Sequence, residues 1–157
     1  MKNLLILSCI LGLIFTSCKT DKNTDQNDST ENYPKEKLTL EGAWELVSFY
    51  NYVDNEVSDT IYRSDKLKQI KMYTKSKVMW SKSLPSDSLE WFGFGSYEYS
   101  DSTLYEALDY GSKTMNQILM DQTEFQFLLY LDKTRFTQIE IDADGNKIYG
   151  ENYIRIE

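Results

Sequence analysis

Three stretches of different character follow one another along the chain. Residues 4–15 form a largely apolar run, and residues 19–37 are almost wholly polar. From Leu38 onward, aromatic and β-branched residues alternate with polar ones in short segments that polar turns separate. Alternation over about 4–8 residues is typical of a half-buried strand, whereas the helical period is scarce here. The pattern therefore predicts one β domain over 38–157, preceded by two segments of another kind.

The alternating segments predict about eight strands. They cover residues 44–53, 67–74, 77–82, 91–100, 103–110, 124–131, 135–142 and 147–157. Residues 54–64 are predicted to form a loop, and 113–122 a short helix or a loop. Asp144-Gly145 lies between the last two segments, and this dipeptide is a strong hairpin signal because glycine readily takes a positive φ.

Consecutive strands joined by short turns favour an all-β fold in which an antiparallel up-and-down barrel closes on itself. Closure removes exposed strand edges, and about eight strands enclose either packed side chains or one small ligand. A two-sheet sandwich remains the alternative, because alternation alone does not separate the two folds. Alternation also predicts that Phe125, Phe127, Leu129 and Leu131 face inward together, and that Ile70 and Met72 face inward as well.

The apolar run at the start has the parts of an export signal. Lys2 precedes it, and it is shorter than the roughly 20 apolar residues of a membrane-spanning helix. The sequence Phe15-Thr16-Ser17-Cys18 that ends it resembles the lipobox of bacterial lipoproteins. The resemblance implies a diacylglycerol thioether on Cys18, cleavage before it and acylation, typically with palmitate, of the new amino group. We therefore expect a signal peptide over 1–17 and a lipidated Cys18.

The polar segment after Cys18 predicts a tether. It cannot bury enough apolar surface to offset the entropy lost on ordering, so 18–37 is expected to be disordered. A lipidated cysteine followed by a flexible segment anchors the domain at a membrane. The expected location is the cell envelope, at the outer membrane, with the lipid on Cys18 as the contact with the bilayer.

Composition excludes several classes of function. The net charge of −8 argues against nucleic-acid binding. The chain contains no histidine, and Cys9 and Cys18 are its only cysteines, so the expected mature domain has no other thiol. Histidine and thiolate catalysis, disulfides and most transition-metal sites are thereby excluded. We expect no metal, no cofactor and no enzymatic activity; a carboxylate–tyrosine site at Glu106 is the remaining catalytic alternative.

The segment Gly42-Ala43-Trp44 resembles the Gly-x-Trp signature that opens the barrel of the lipocalins. Tyr153-Ile154-Arg155 is similar to their last strand, which places an arginine against that tryptophan. The intervening segments 70–73, 78–80, 93–97 and 104–106 resemble lipocalin-like domains of bacterial envelope lipoproteins. The resemblance implies that Gly42, Trp44 and Arg155 close the barrel, and it implies no particular ligand.

Dense aromatic residues in the middle of the domain indicate either a ligand cavity or a packed core. The candidate ligand-binding residues are Trp80, Phe94, Tyr97, Tyr105, Glu106 and Phe127. If Glu98 faces the same region as Glu106, the two could form a carboxylate pair. A small apolar or amphipathic molecule is therefore one candidate partner. An envelope protein docking on a filled barrel is the other.

Overall fold

The computed structural model of the chain describes residues 38–84 and 90–157. Cys18, the expected signal peptide and the expected tether lie outside the described residues. The described part forms nine strands and one helix: β1 (Gly42–Val53), β2 (Glu56–Tyr62), β3 (Lys68–Tyr73), β4 (Lys77–Ser83), β5 (Trp91–Tyr99), β6 (Thr103–Gly111), α1 (Lys113–Leu119), β7 (Glu124–Leu131), β8 (Arg135–Ile141) and β9 (Lys147–Arg155).

The strands form one antiparallel sheet that closes on itself. Its order is β2-β1-β3-β4-β5-β6-β7-β8-β9, and β1 also pairs with β9. The first residues of β1 pair with β3, and its last residues pair with β2. Strands β1 and β3–β9 therefore make an eight-stranded barrel, and β2 is an extra strand at its edge. The predicted all-β barrel is confirmed, and the sandwich alternative is wrong.

Strand β2 lies where the sequence predicted a loop. Asp54 and Asn55 both have positive φ, 51° and 66°, and turn the chain tightly between β1 and β2. These two residue types tolerate the left-handed region better than other side chains do, and such turns suit two-residue hairpins. Every residue of β2 is exposed. Without a buried face the strand has no alternation of apolar and polar residues, which explains the wrong prediction.

Of the two predictions about which side chains face the barrel interior, one is confirmed and the other is wrong. The inward face of β7 is confirmed, since Phe125 and Phe127 line the interior and Leu129 is buried. In β3 the predicted face was wrong: Met72 is 47% exposed on the outside, whereas Gln69, Lys71 and Tyr73 are buried. The polar residues of β3 tolerate burial because hydrogen-bond partners on other strands satisfy them.

One end of the barrel is packed solid, and we call it the filled end. Trp44 meets Phe136 edge-to-face, with ring centroids 4.9 Å apart. Phe136 in turn stacks on Tyr153 at 4.6 Å, and Tyr73 packs against Tyr97 at 4.7 Å. Buried aromatic side chains contribute large apolar areas, and such pairs add about 0.5–1.5 kcal/mol each. This cluster holds the start of β1 and the end of β9 together.

The structure brings Trp44 and Arg155 together at the filled end, next to Gly42. The Arg155 guanidinium lies 4.0 Å from the centre of the Trp44 ring. It also donates hydrogen bonds to the carbonyls of Thr39 and Glu41, each at 2.6 Å. A Cβ on Gly42, whose φ is +129°, would lie 2.6 Å from Arg155 Nη1. Glycine therefore allows the arginine to close the barrel over the tryptophan.

The opposite end, which we call the open end, carries helix α1 between β6 and β7. The Ser112 hydroxyl accepts a hydrogen bond from the Met115 amide and caps the helix. Met115 is the buried residue of the helix and points its thioether into the barrel. The helix is too short to cross a bilayer, and no other helix occurs in residues 38–84 and 90–157.

Candidate ligand site in the barrel interior

A cavity of about 240 Å³ lies in the open half of the barrel. Its walls are mostly apolar and aromatic: Trp80, Trp91, Leu108, Met115, Phe125 and Phe127. Its polar lining consists of Gln69, Lys71, Lys82, Glu106, Gln138 and Glu151. Gly93 makes room for one wall, because a Cβ there would lie 2.8 Å from Trp80 Cε2. The barrel is thus packed at one end and hollow at the other.

A buried ion pair lies on the side of the cavity nearest the filled end. Lys71 and Glu106 are each only 3% exposed. Lys71 Nζ lies 2.8 and 3.1 Å from the two carboxylate oxygens of Glu106, and 2.7 Å from Gln138 Oε1. The ammonium thus donates to one carboxylate and to one amide oxygen. The Tyr73 hydroxyl adds a 2.6 Å hydrogen bond to Glu106.

Glu151 lies beside this ion pair but has no ion-pair partner of its own among the described residues. It accepts hydrogen bonds from Gln69 at 3.0 Å, Gln138 at 2.9 Å and the Tyr153 hydroxyl at 2.7 Å. All three donors are neutral groups. Gln138 links the two carboxylates, since its amide donates to Glu151 while its oxygen accepts from Lys71.

The two buried tyrosines remain protonated in this environment. Burial raises the pKa of Tyr73 well above its usual value, and the neighbouring Glu106 carboxylate raises it further. Burial likewise raises the pKa of Tyr153, with Glu151 as the next cause. Both hydroxyls therefore act as donors that hold the carboxylates in place. We call Gln69, Lys71, Tyr73, Glu106, Gln138, Glu151 and Tyr153 the polar floor.

The barrel wall is incomplete beside the polar floor. Strands β7 and β8 pair only from Leu128 opposite Ile139 to Leu131 opposite Phe136. Beyond this ladder the two strands separate toward the open end. A second cavity of about 380 Å³ lies in this gap and shares Phe125, Phe127, Gln138 and Glu151 with the first. The gap gives the polar floor a side opening between the strands.

The residues that the sequence suggested for ligand binding do not all line the cavity. Trp80, Glu106 and Phe127 line the cavity. Tyr97 is buried at the filled end, where its hydroxyl donates to the Thr74 carbonyl. Phe94 and Tyr105 do not line this cavity: Phe94 packs against Tyr110 outside the barrel, and Tyr105 is half exposed. Their strands alternate, so the neighbours of inward residues face solvent.

The proposed carboxylate pair between Glu98 and Glu106 does not form. Tyr97 is the cross-strand partner of Glu106, whereas Glu98 pairs with Tyr105 on the outer face. The register shifts between Phe94 and Gly95, where a Cβ on Gly95 would lie 2.0 Å from the Ala107 carbonyl oxygen. This bulge agrees with the strand bend that glycines at 93 and 95 indicate.

Most of the polar floor was missed by sequence reasoning, although one signal was present. The β3–β4 hairpin pairs Lys71 with Trp80, and directly opposed residues share a face of the sheet. An inward Trp80 therefore requires an inward Lys71. Glu151 and Gln138 are cross-strand partners in the same way, but neither carried a signal of its own. Carboxylates and amides on strands are more often exposed.

No group of acidic or cysteine side chains in residues 38–84 and 90–157 is arranged to hold a metal ion. Residues 142–146 form the predicted turn, in which the Asp142 carboxylate accepts a hydrogen bond from the Asn146 amide at 2.8 Å.

Comparison with known proteins gave no match: no family model, curated protein or solved structure is significantly similar to the chain. We therefore base the proposed function on the geometry of the barrel.

Proposed function

We propose that the protein is a lipid-anchored, lipocalin-like binding protein of the cell envelope whose barrel holds one small apolar or amphipathic molecule. The observation that carries this proposal is the cavity of about 240 Å³, with aromatic walls and a polar floor. Apolar walls with a few placed polar groups are typical of ligand sites. Drug-sized ligands occupy roughly 300–1,000 Å³, so the expected ligand is smaller.

Filling the cavity tests this proposal. Leu108 lines the cavity, whereas Tyr105 on the same strand faces outward. Leu108→Trp should weaken binding of a small neutral probe, 2-phenylethanol, by tenfold or more. Tyr105→Trp, the matched control, should leave binding unchanged. Both are measured by titration calorimetry on the full chain in detergent micelles. Equal binding by the two variants, or no saturable binding by the unmodified protein, would contradict the proposal.

The proposed function is binding without catalysis. The chain contains no histidine, and the carboxylates of the cavity are held by neutral donors or by Lys71. Glu106, the candidate acid, has its charge compensated by Lys71 and accepts a hydrogen bond from the Tyr73 hydroxyl. Such a carboxylate is arranged for structure rather than for proton transfer to a substrate.

The proposed lipid anchor rests on the sequence around Cys18. Two features of the barrel accord with the lipocalin resemblance: the closed eight-stranded sheet and the Arg155 guanidinium over Trp44. Labelled palmitate should be incorporated into the chain in cells and lost with Cys18→Ser. Fractionation should place the labelled protein in the outer membrane. Label retained by Cys18→Ser would contradict the anchor and leave the ligand proposal unaffected.

A second candidate function is an interaction module for another envelope protein. A row of apolar side chains crosses the outside of β3–β6, with Met72 opposite Met79, Met79 opposite Phe94 and Phe94 opposite Tyr110. Three of the four are more than 40% exposed. A photo-crosslinker at Met79 in intact cells should capture one stoichiometric partner, and Phe94→Lys should abolish capture. A crosslinker that captures nothing would count against this candidate.

A further inference from the structure

The cavity contains more negative than positive charge at its polar floor. Lys71 is the basic side chain of the floor, and Glu106 and Glu151 are its two acidic side chains. Lys71 donates to Glu106 and Gln138. Within the described residues Glu151 lies within ion-pair distance of no lysine or arginine. One carboxylate next to the cavity is therefore not compensated by a cation of the floor.

The hydrogen-bonding groups of the floor point to the same kind of ligand. A carboxylate can accept about four hydrogen bonds, and Glu151 accepts three from Gln69, Gln138 and Tyr153. Within the part of the chain that the structure describes, its Oε1 atom accepts one, from Gln69, whereas Oε2 accepts two. The ammonium of Lys71 is already paired with Glu106 and hydrogen-bonded to Gln138. The Oε1 atom of Glu151 can thus accept a further hydrogen bond from a ligand.

Aromatic rings surround this carboxylate. Phe125 and Phe127 line both cavities together with Glu151, and Trp80 and Trp91 form the opposite wall. The faces of aromatic rings attract cations, by about 0.5–2 kcal/mol in proteins. Phe127 already lies 5.6 Å from the Lys71 ammonium. A carboxylate beside aromatic walls is suited to an organic cation with an apolar body.

Lys82 is the other charged group that lines the cavity. It follows Trp80 on the inward face of β4, one residue before the end of the strand, and pairs with Trp91. Lys82 is therefore nearer the open end than Lys71, which pairs with Trp80. The ammonium of a ligand bound at the floor would lie deeper in the barrel than Lys82. Lys82 would therefore repel that ammonium only from the mouth of the cavity.

We propose that the ligand is a small organic cation, an amine with an apolar or aromatic body, whose ammonium group binds Glu151 while its body lies between the aromatic walls. This inference rests on the binding function proposed above and names the ligand class. An ammonium donates to the free position on Glu151 and supplies the missing countercharge. A carboxylate ligand of the same shape would meet the two carboxylates Glu106 and Glu151 instead.

Three probes of matched shape test the inference: 2-phenylethylamine, 2-phenylethanol and 3-phenylpropionate. Titration calorimetry on the full chain in detergent micelles should rank the amine first, the alcohol second and the carboxylate last. Glu151→Gln should weaken binding of the amine by tenfold or more and leave the alcohol nearly unchanged, because only the charged pair is lost. The control Glu56→Gln, at an exposed position on β2, should change neither.

The outcomes separate the inference from the proposed function. If the alcohol binds and the amine binds no more tightly, the inference is wrong and the binding function remains. If the carboxylate binds most tightly and Lys82→Gln abolishes its binding, the ligand is an anion held at the mouth. If none of the three binds, both proposals fail. Should Glu151→Gln not fold, as circular dichroism would reveal, the ranking of the three probes by the unmodified protein still decides.

Discussion

At the scale of single residues, the Lys71–Glu106 pair is the strongest electrostatic feature of the barrel. Both side chains are almost fully buried, so each has given up its hydration in exchange for the other and for Tyr73 and Gln138. The pair as a whole need not stabilise the fold relative to an apolar pair of similar volume. Losing one member is different, because the remaining charge stays buried without compensation.

Replacing Lys71 by methionine should therefore lower the free energy of unfolding by about 3–5 kcal/mol. The control is Lys77→Met, which removes an exposed lysine that lies 3.5 Å from Asp109. Exposed pairs contribute about 0–1 kcal/mol, so the control should unfold at nearly the same denaturant concentration as the parent. Urea titrations monitored by circular dichroism compare the two. Similar losses in both variants would show that the Lys71 pair is not buried as described.

The buried tyrosines predict how stability depends on alkaline pH. The folded-state pKa values of Tyr73 and Tyr153 lie well above the usual value of about 10. The unfolded chain thus releases these protons first as the pH rises. The stabilisation is complete below about pH 10 and is lost progressively as the pH rises toward the folded-state values. Tyr73→Phe should flatten this decline, whereas Tyr105→Phe, at a half-exposed outer position, should not.

Denaturant titrations from neutral to strongly alkaline pH provide the measurement for the tyrosines. The slope of unfolding free energy against pH counts the protons that differ between the folded and unfolded states. An unchanged slope in Tyr73→Phe would mean that Tyr73 ionises as readily in the folded protein as in the unfolded chain.

At the scale of elements, β1 organises the sheet because it pairs with three other strands. β1 pairs with β9 along one edge and divides its other edge between β3 and β2. Register shifts between Leu46 and Ser48, opposite β9, allow this long strand to bend around the barrel. The division leaves β2 attached through β1 alone. Closure of the barrel thus depends on the first half of β1.

Gly42, the first residue of β1, provides a prediction about that closure. Gly42→Ala would place a methyl group 2.3 Å from the Glu157 carbonyl oxygen and force an L residue to φ +129°. Gly145→Ala is the matched control, since its φ is +84° and nothing lies within 4 Å of its Cβ. Alanine at positive φ costs more than about 1 kcal/mol. Thermal unfolding should therefore show a larger loss for Gly42→Ala, which adds a clash; an equal loss would contradict the described closure.

The strands that sequence could predict are those with one buried and one exposed face. β5–β9 were found nearly to the residue, because aromatic and aliphatic residues alternate along them and turns such as 142–146 mark their ends. β2 failed because it has no buried face. The predicted inward face of β3 was wrong because Ile70 and Met72 are apolar but lie outside, while Lys71 lies inside. Hydrophobic alternation cannot reveal a strand whose inward residues are polar.

The candidate site was only partly predictable for a related reason. Aromatic density led to Trp80 and Phe127, and the mid-strand position of Glu106 led to that carboxylate. The polar floor combines residues from β3, β6, β8 and β9, and its hydrogen bonds join residues up to 84 positions apart. Such a network depends on the register of every intervening strand. Without the strand register, Phe94 and Tyr105 could not be distinguished from inward residues, because each is one residue away from an inward position.

At the scale of the whole molecule, the barrel interior has two halves with different roles. Aromatic stacking around Phe136 and Tyr153 fills one end, and Arg155 covers it from outside. The other end encloses the cavity, with the ion pair of Lys71 and Glu106 at the boundary. The sequence left open whether the barrel is filled or hollow. The structure combines both, with a packed end beside a hollow one.

A crystal structure of the full chain grown with 2-phenylethylamine tests the central claim most directly. We expect one amine molecule in the cavity, with its ring between Trp80 and Phe127 and its nitrogen within about 3 Å of Glu151 Oε1. The hydrogen bonds of Lys71 to Glu106 should be unchanged. A cavity occupied by the protein's own side chains, or an amine bound only outside the barrel, would contradict the claim that this interior is a ligand site.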